Sequence, residues 1–377
     1  MHEAHKRSLE ALERRRRLRS LQPCRGLDFA SNDYLGLGAC EALRNAARAA
    51  LDRGVPVGAG ASRLLRGNHP EHEALEAEAA AFFGSQSALF FSGGFQANAA
   101  LFSTHPQRGD LIFHDELIHA SAHEGMAATR ARCIAFSHND PDAAGDAIAG
   151  WRRAGGKGRI WIAVESLYSM DGDTAPIEAL ARLADHTDAM LVIDEAHATG
   201  ICGPDGRGLG ATLEGRENVV TLHTCGKALG ASGALLTMPA ILRDYMVNRA
   251  RSFIYATAPS PLSAAIARAA LKLLQDEPHR RDELAALVAH AGTQLRERCI
   301  IEPTGTQIQP LIVHRDERAL QLANALQQAG FDVRAIRPPT VPEGTARLRL
   351  SLTLNITADH VSRLIDELEP MLLEVQP

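Results

Sequence analysis

A single lysine, Lys227, stands in "TCGKALGASGALL" among glycines, alanines and small hydroxyls, directly after the apolar run "VVTLH". Lysines usually sit on charged surfaces because burying an ammonium is costly. Surroundings of this kind favour a neutral, nucleophilic amine that can form a Schiff base and carry protons, and small neighbours leave room for a group to pack against it. Upstream, "LVIDEAHATG" ends an apolar run on Asp194, with His197 three residues on. A buried carboxylate needs a partner. It can form a structural salt bridge, share a metal with His197, or hold a proton on a heterocyclic nitrogen, as a pyridoxal cofactor requires of its electron sink. In "FFSGGFQANAAL", Gly93 and Gly94 stand between a strand and a helical pattern, where free amides can take an anion. The chain has neither G-x-x-x-x-G-K-[ST] nor G-x-G-x-x-G, so that anion is not signalled as a nucleotide.

Other candidates are weaker. His119 and His123 in "HASAH" and His69 and His72 in "HPEH" lack the H-E-x-x-H form, so no metal site is expected. An imidazole placed after a strand, as His119 is, can instead stack on a flat ring. Ser166 and Ser169 lack a G-x-S-x-G elbow, which leaves a hydrolase unsupported. Lysine, buried aspartate, glycine anion loop and stacking histidine together form the parts of a pyridoxal 5′-phosphate site.

These residues must be positioned by something. Apolar strand candidates at 88–92, 110–115, 133–138, 159–166, 189–197, 219–224 and 233–238 alternate with helical segments such as 175–186. That pattern predicts an α/β fold with a mainly parallel seven-stranded sheet covered on both faces. Polar and glycine-rich residues follow strand after strand, where open α/β sheets place their chemistry. Long helices are expected near 259–275 and 279–298, and strands at 308–314, 331–336 and 347–352 form a smaller α/β domain. The expected divisions are an amino-terminal helix and arm over 1–38, a large cofactor-binding domain over 39–272 and a small domain over 273–377.

The 377 residues carry a net charge of −5, which gives no general attraction to nucleic acid or acidic membrane. No apolar run reaches membrane-spanning length, and six scattered cysteines without a C-x-x-C pair fit a reducing cytoplasm. The basic run "LERRRRLRS" at 12–20 reads mostly as a solvated helix face.

With "FASNDYLGL" (29–37), "GASRLLRGNHPEHEALE" (60–76), "SGGFQAN" (92–98), "SMDGD" (169–173), "DEAHATG" (194–200) and "TCGKALGASG" (224–233), the chain resembles the α-oxoamine synthases. These are homodimeric pyridoxal-phosphate acyltransferases of the aspartate aminotransferase fold (fold type I). "IQPLIV" (308–313) and "AIRPPTVPEGTARLRLSLT" (335–353) are most similar to the branch that condenses L-alanine with a pimeloyl thioester in biotin biosynthesis. The resemblance implies that Lys227 carries the Schiff base, Asp194 pairs with the pyridine nitrogen, His197 approaches the phenolic oxygen and His119 stacks on the ring. It implies cofactor contacts from Ser169, Thr224 and the Gly94–Phe95 backbone, and from Thr257 in the partner subunit's loop. Asn32, Arg337 and Thr340 match positions near substrate, with Arg337 on the alanine carboxylate. An arginine late in the first helix, Arg19 or Arg17, is expected to join them.

Overall fold

The computed structural model describes residues 2–373. The chain divides into two compact units, one made of residues 35–169 and 173–281, the other of residues 1–34, 170–172 and 282–377.

The larger unit is built on seven strands: β1 (Ser87–Phe91), β2 (Leu111–Asp115), β3 (Arg132–Phe136), β4 (Ile160–Glu165), β5 (Ala189–Asp194), β6 (Val219–Thr224) and β7 (Ala234–Met238). They lie in the order β1-β7-β6-β5-β4-β2-β3. All neighbours run parallel except β7, which is antiparallel to both β1 and β6. The strands β1, β2, β4, β5, β6 and β7 are buried along their whole length. Their near-continuous apolar sequences follow from this, since helices cover both faces and no face needs polar residues. One apolar cluster joins Leu89, Ile112, Val192 and Leu236 to Leu101 and Phe253, and another joins Phe113, Ile162 and Leu191 to Leu180 and Ile148. β1 is an edge strand whose free edge is capped at one point. Its Phe90 N–H donates to Glu76 Oε1 at 2.9 Å, and Arg63 grips the same carboxylate at 2.8 Å and 3.0 Å.

In the smaller unit three antiparallel strands, β8 (Ile308–His314), β9 (Arg334–Ile336) and β10 (Ala346–Ser351), lie in the order β9-β10-β8. The helices Asp316–Gln328 and Ala358–Leu373 bury Leu322, Leu326, Leu364 and Leu368 with Leu348 and Leu350 of β10. The stretch 331–336, expected as one strand, is broken at Val333: Phe331–Asp332 pairs in parallel with Leu27–Asp28, while β9 pairs with β10. The amino-terminal arm is therefore stitched to this unit, and Phe29 packs edge-on against Phe331 with centroids 6.0 Å apart.

The first helix, Glu3–Arg14, stops before the arginines singled out by the sequence. Arg16 adopts φ 57°, which ends the helix, so Arg17 and Arg19 lie in the extended arm rather than late in a helix. Among the described residues, no helix is long and apolar enough to cross a membrane.

An ion triad fixes the loops after three strands of the larger unit. His138, just past β3, places Nδ1 2.9 Å from Asp115 Oδ1 at the end of β2 and Nε2 2.7 Å from Asp173 Oδ2 beyond β4. Burial lowers the imidazole's affinity for its proton, but the two carboxylates outweigh this and raise its pKa to about 10. A group raised in the folded state stabilises fully below its unfolded value near 6.5, and the contribution fades as pH climbs to about 10. The triad is partly wet, with Asp173 40% exposed, so we expect His138→Gln to cost about 2 kcal/mol at pH 6. The thermal midpoints of variant and parent should converge as pH passes about 10; equal midpoints at pH 6 would remove the triad's role.

Candidate functional site

Asp194 is the last residue of β5, 6% exposed, and sits in register with Glu165 of β4 and Leu222 of β6. Its burial is compensated locally. Asn98 Nδ2 donates to Asp194 Oδ2 at 2.7 Å, and the Ala196 N–H donates to Oδ1 at 2.9 Å. Asn98 comes from the helix Gly94–Thr104, one turn after its first residue. The same amide donates to Ser121 Oγ at 3.0 Å, and Ser121 lies 2.8 Å from His119 Nδ1. His119 caps the helix Ala120–Ala128, its Nδ1 accepting the Ser121 N–H at 3.2 Å. His119 is exposed as a residue. Partial burial holds its pKa below the usual histidine range, with Asp194 opposing and Lys227 reinforcing that shift. A neutral, accessible ring suits stacking on a flat ligand.

The helix Gly94–Thr104 begins without a side-chain cap on its amides. Thr224, at the end of β6, brings its Oγ1 to this first turn: a Cβ on Gly94 would stand 3.8 Å from that oxygen. Uncapped amides with an adjacent hydroxyl form an anion cradle. Phe95 projects from this turn and is exposed.

Lys227 follows in a tight loop closed by Gly230 N–H donating to Lys227 O at 2.8 Å and Cys225 N–H donating to Gly233 O at 2.9 Å. The glycines in this loop have a reason other than room for a ligand. Gly230 has φ 60° and a Cβ there would lie 2.4 Å from Gly38 N; Gly233 has φ 109° and its Cβ would lie 2.4 Å from Phe90. Backbone conformation and packing against the chain itself require them. Lys227 is half-buried, and its charge acts on both His119 and Glu165, as does that of Asp194. The fields of lysine, aspartate, histidine and glutamate thus converge.

His197 is buried in the turn after β5, and Ser169 is buried after β4 with its N–H donating to Glu165 Oε2 at 3.3 Å. Thr257 is exposed between the helices Arg251–Ile254 and Pro261–Asp276. The remaining histidine pairs are structural. His69 caps the helix Pro70–Phe83, His72 Nε2 lies 2.8 Å from Pro259 O, and His123 packs edge-on against His114.

The expected substrate residues fall into two groups of the smaller unit. Arg19 Nη2 donates to Thr340 Oγ1 at 2.9 Å, and both line a cavity of about 100 Å³ with Arg337, whose Nη1 donates to Arg16 O. Arg17 also borders it, but its guanidinium is held by Asp316 at 2.7 Å and Glu343 at 2.6 Å and 2.7 Å. Asn32 belongs to the other group: its Oδ1 accepts from Arg349 Nη2 at 3.0 Å and from Tyr34 Oη at 3.0 Å. Arg349 is 6% exposed and also donates to Ser351 Oγ at 2.6 Å.

Asn98, Ser121, Glu165 and Arg349 were not singled out from the sequence. Asn98 carried a signal, standing four residues after Gly94 and so on the same helix face. Arg349 lies in "RLRLS", where alternate residues share a face, but nothing there indicates which arginine faces Asn32.

The set fits pyridoxal 5′-phosphate. The uncapped helix start and Thr224 answer its phosphate, the hydrogen-bonded Asp194 its pyridine nitrogen, and the Lys227 amine its aldehyde. A model of the aminotransferase class I and II family matches residues 25–368. A putative 8-amino-7-oxononanoate synthase of Geobacillus kaustophilus is 40% identical over 90% of this chain and 87% of its own length. The 8-amino-7-oxononanoate synthase of Anaeromyxobacter dehalogenans is 39% identical over 98% of this chain and 95% of its own. The crystal structure of an 8-amino-7-oxononanoate synthase from Francisella tularensis superposes with a TM-score of 0.77 at 27% identity, covering 93% of this chain and 98% of that one. Sharing this frame from the arm to the last helix, the chain belongs to the aminotransferase class I and II family.

Proposed function

We propose that the protein is an 8-amino-7-oxononanoate synthase, a pyridoxal-phosphate-dependent acyltransferase of biotin biosynthesis that joins L-alanine to a pimeloyl thioester and releases the thiol and CO2. The observation that carries this reading is the convergence of Lys227, Asp194 and His119 beside an anion cradle, in a chain whose near-full-length relatives bear that name. Bound pyridoxal phosphate supplies an electron sink for the pair left at the alanine Cα, first by proton loss and later by loss of the carboxylate.

The side chains divide the remaining work. Asp194, steadied by Asn98 and Ala196, holds a proton at the pyridine nitrogen. His119 supports one ring face, His197 approaches the phenolic oxygen, and Ser169 contacts the cofactor. The amides of Gly94 and Phe95, with Thr224, bind the phosphate. Lys227 would anchor the cofactor through its amine, and that same amine would take the Cα proton of bound alanine. Two carboxylates need cations, one on alanine and one at the far end of the pimeloyl chain. The buried Arg349, steadied by Asn32, suits the short amino acid, whose carboxylate lies one bond from the reacting carbon. The group of Arg19, Arg337 and Thr340, which lines a cavity of about 100 Å³, suits the distal carboxylate. This moves Arg337 from the alanine carboxylate expected of it.

Two subunits complete the site in this reading. Val57, Leu64, Leu65, Phe95 and Tyr255 are exposed large apolar side chains, and two hydrogen bonds connect the segments near them, Ala258 N–H to Ala61 O and Gln96 Nε2 to Ser252 O, both at 2.9 Å. Exposed apolar side chains in this number support a subunit contact, and Thr257 is two residues from Tyr255.

The deciding experiment is incubation of the purified protein with L-alanine and pimeloyl-CoA, followed by product mass. The amino-oxononanoate is expected, and its absence with cofactor bound would sink the reading. Borohydride should attach the cofactor to the peptide carrying Lys227, and Lys227→Ala should hold cofactor without turnover. Arg349→Ala should raise the KM for alanine by roughly 30-fold or more, as loss of one partner of a buried charge pair costs about 2–5 kcal/mol. Arg337→Ala should raise the KM for the pimeloyl thioester instead; the reverse pattern would return Arg337 to the alanine carboxylate. Sedimentation should show a dimer, and a fully active monomer would contradict the shared site.

A further inference from the structure

Glu165 ends β4 beside Asp194 on β5, paired in register with it. Parallel neighbours stand about 4.8 Å apart and their paired side chains leave the sheet on the same face, so two carboxyl groups share one buried site. Glu165 is 2% exposed. Its Oε2 accepts the Ser169 N–H at 3.3 Å, and its Oε1 is enclosed without a hydrogen-bond partner. Asp194 has donors on both oxygens. The donors around this pair have therefore been given to one member. A buried anion with an unserved oxygen is far more costly than a neutral acid with one.

We propose that Glu165 is a positioning residue kept as a neutral carboxylic acid, which leaves Asp194 as the anion of the pair and fixes Ser169 through its backbone amide. The proposal rests on the cofactor reading given above. The surrounding charges agree with it. Burial and the Asp194 charge both push the Glu165 pKa well up; Lys227 and the Ser169 N–H pull it down, and Asp115, at the end of β2, pushes it up again. Tyr168, two positions past Ser166, is also packed here and feels the Glu165 charge. The Lys227 charge does not outweigh burial and Asp194 even in the cofactor-free protein, and a cofactor that claims its amine would weaken that opposing pull further. With one carboxyl neutral, the negative field at the pyridine nitrogen comes from Asp194 alone, and the Ser169 hydroxyl is presented from a fixed loop.

Glutamine mimics the neutral acid in shape and can still accept the Ser169 N–H; alanine cannot. In the cofactor-free protein at pH 7, infrared difference spectra between parent and Glu165→Gln should show loss of a protonated-carboxyl C=O band. Its absence means an ionised Glu165 and overturns the proposal. In the cofactor-loaded protein, Glu165→Gln should leave the pH midpoint of cofactor absorbance and the cofactor Kd unchanged, whereas Glu165→Ala should weaken the Kd by about tenfold. A glutamine variant with a displaced midpoint, or one as weak as alanine, also overturns it. A parent protein that binds no pyridoxal phosphate would defeat the functional reading while leaving the infrared band as its separate test.

Discussion

The carboxylate of Asp194 at the buried end of a central strand is the constraint on which much of the larger unit turns. Removing an anion from water is tolerable only if donors are delivered to it. One donor comes from the chain's own turn, Ala196, and the other from Asn98 on a helix that starts after a different strand. To bring Asn98 there, the helix Gly94–Thr104 must sit with its amino end at the carboxyl ends of the strands. That same placement leaves uncapped amides beside Thr224. The anion cradle and the buried anion are thus two consequences of one helix position. Asn98 then reaches Ser121, which orients His119.

The lysine loop illustrates how one residue pattern can have a cause other than the one it invites. Small residues around Lys227 read naturally as space for a ligand. In the structure Gly230 and Gly233 adopt φ values that side chains avoid and touch the Leu37–Gly38 segment and Phe90 directly. The loop's backbone is confined by the chain around it, so its small residues answer a packing constraint as well as any need for open space.

The smaller unit is tied together by buried arginines. On β10, Arg347 is 2% exposed and binds Asp171 Oδ1 at 2.5 Å and Met170 O at 3.0 Å, while Arg349, two residues on and the same side of the strand, binds Asn32. Gly172 has φ 72°, and a Cβ there would stand 2.3 Å from Ile308 O. Residues 170–172 are therefore captured by this unit although Ser169 and Asp173 belong to the other. The conserved geometry of a strand, with alternate residues on one face, lets a single element grip a loop and present a cation.

Sequence alone determined the elements with strong periodicity: the apolar strands, the helices between them, and the concentration of polar residues at strand ends. It also carried Lys227, Asp194, His119 and the Gly93–Gly94 turn, because each departs from what its position would ordinarily hold. Tertiary structure decided the partners. Whether 331–336 is one strand or two depended on the arm's Leu27–Asp28 competing for half of it. Arg17 and Arg19 are alike in sequence, and only the acidic neighbours Asp316 and Glu343, some three hundred residues away, separate the bound one from the one that meets Thr340. Glu165 reads as an ordinary strand end until its neighbour across the sheet proves to be Asp194. Local pattern reports what a segment can form; the energy of a buried charge depends on groups that only folding brings within reach.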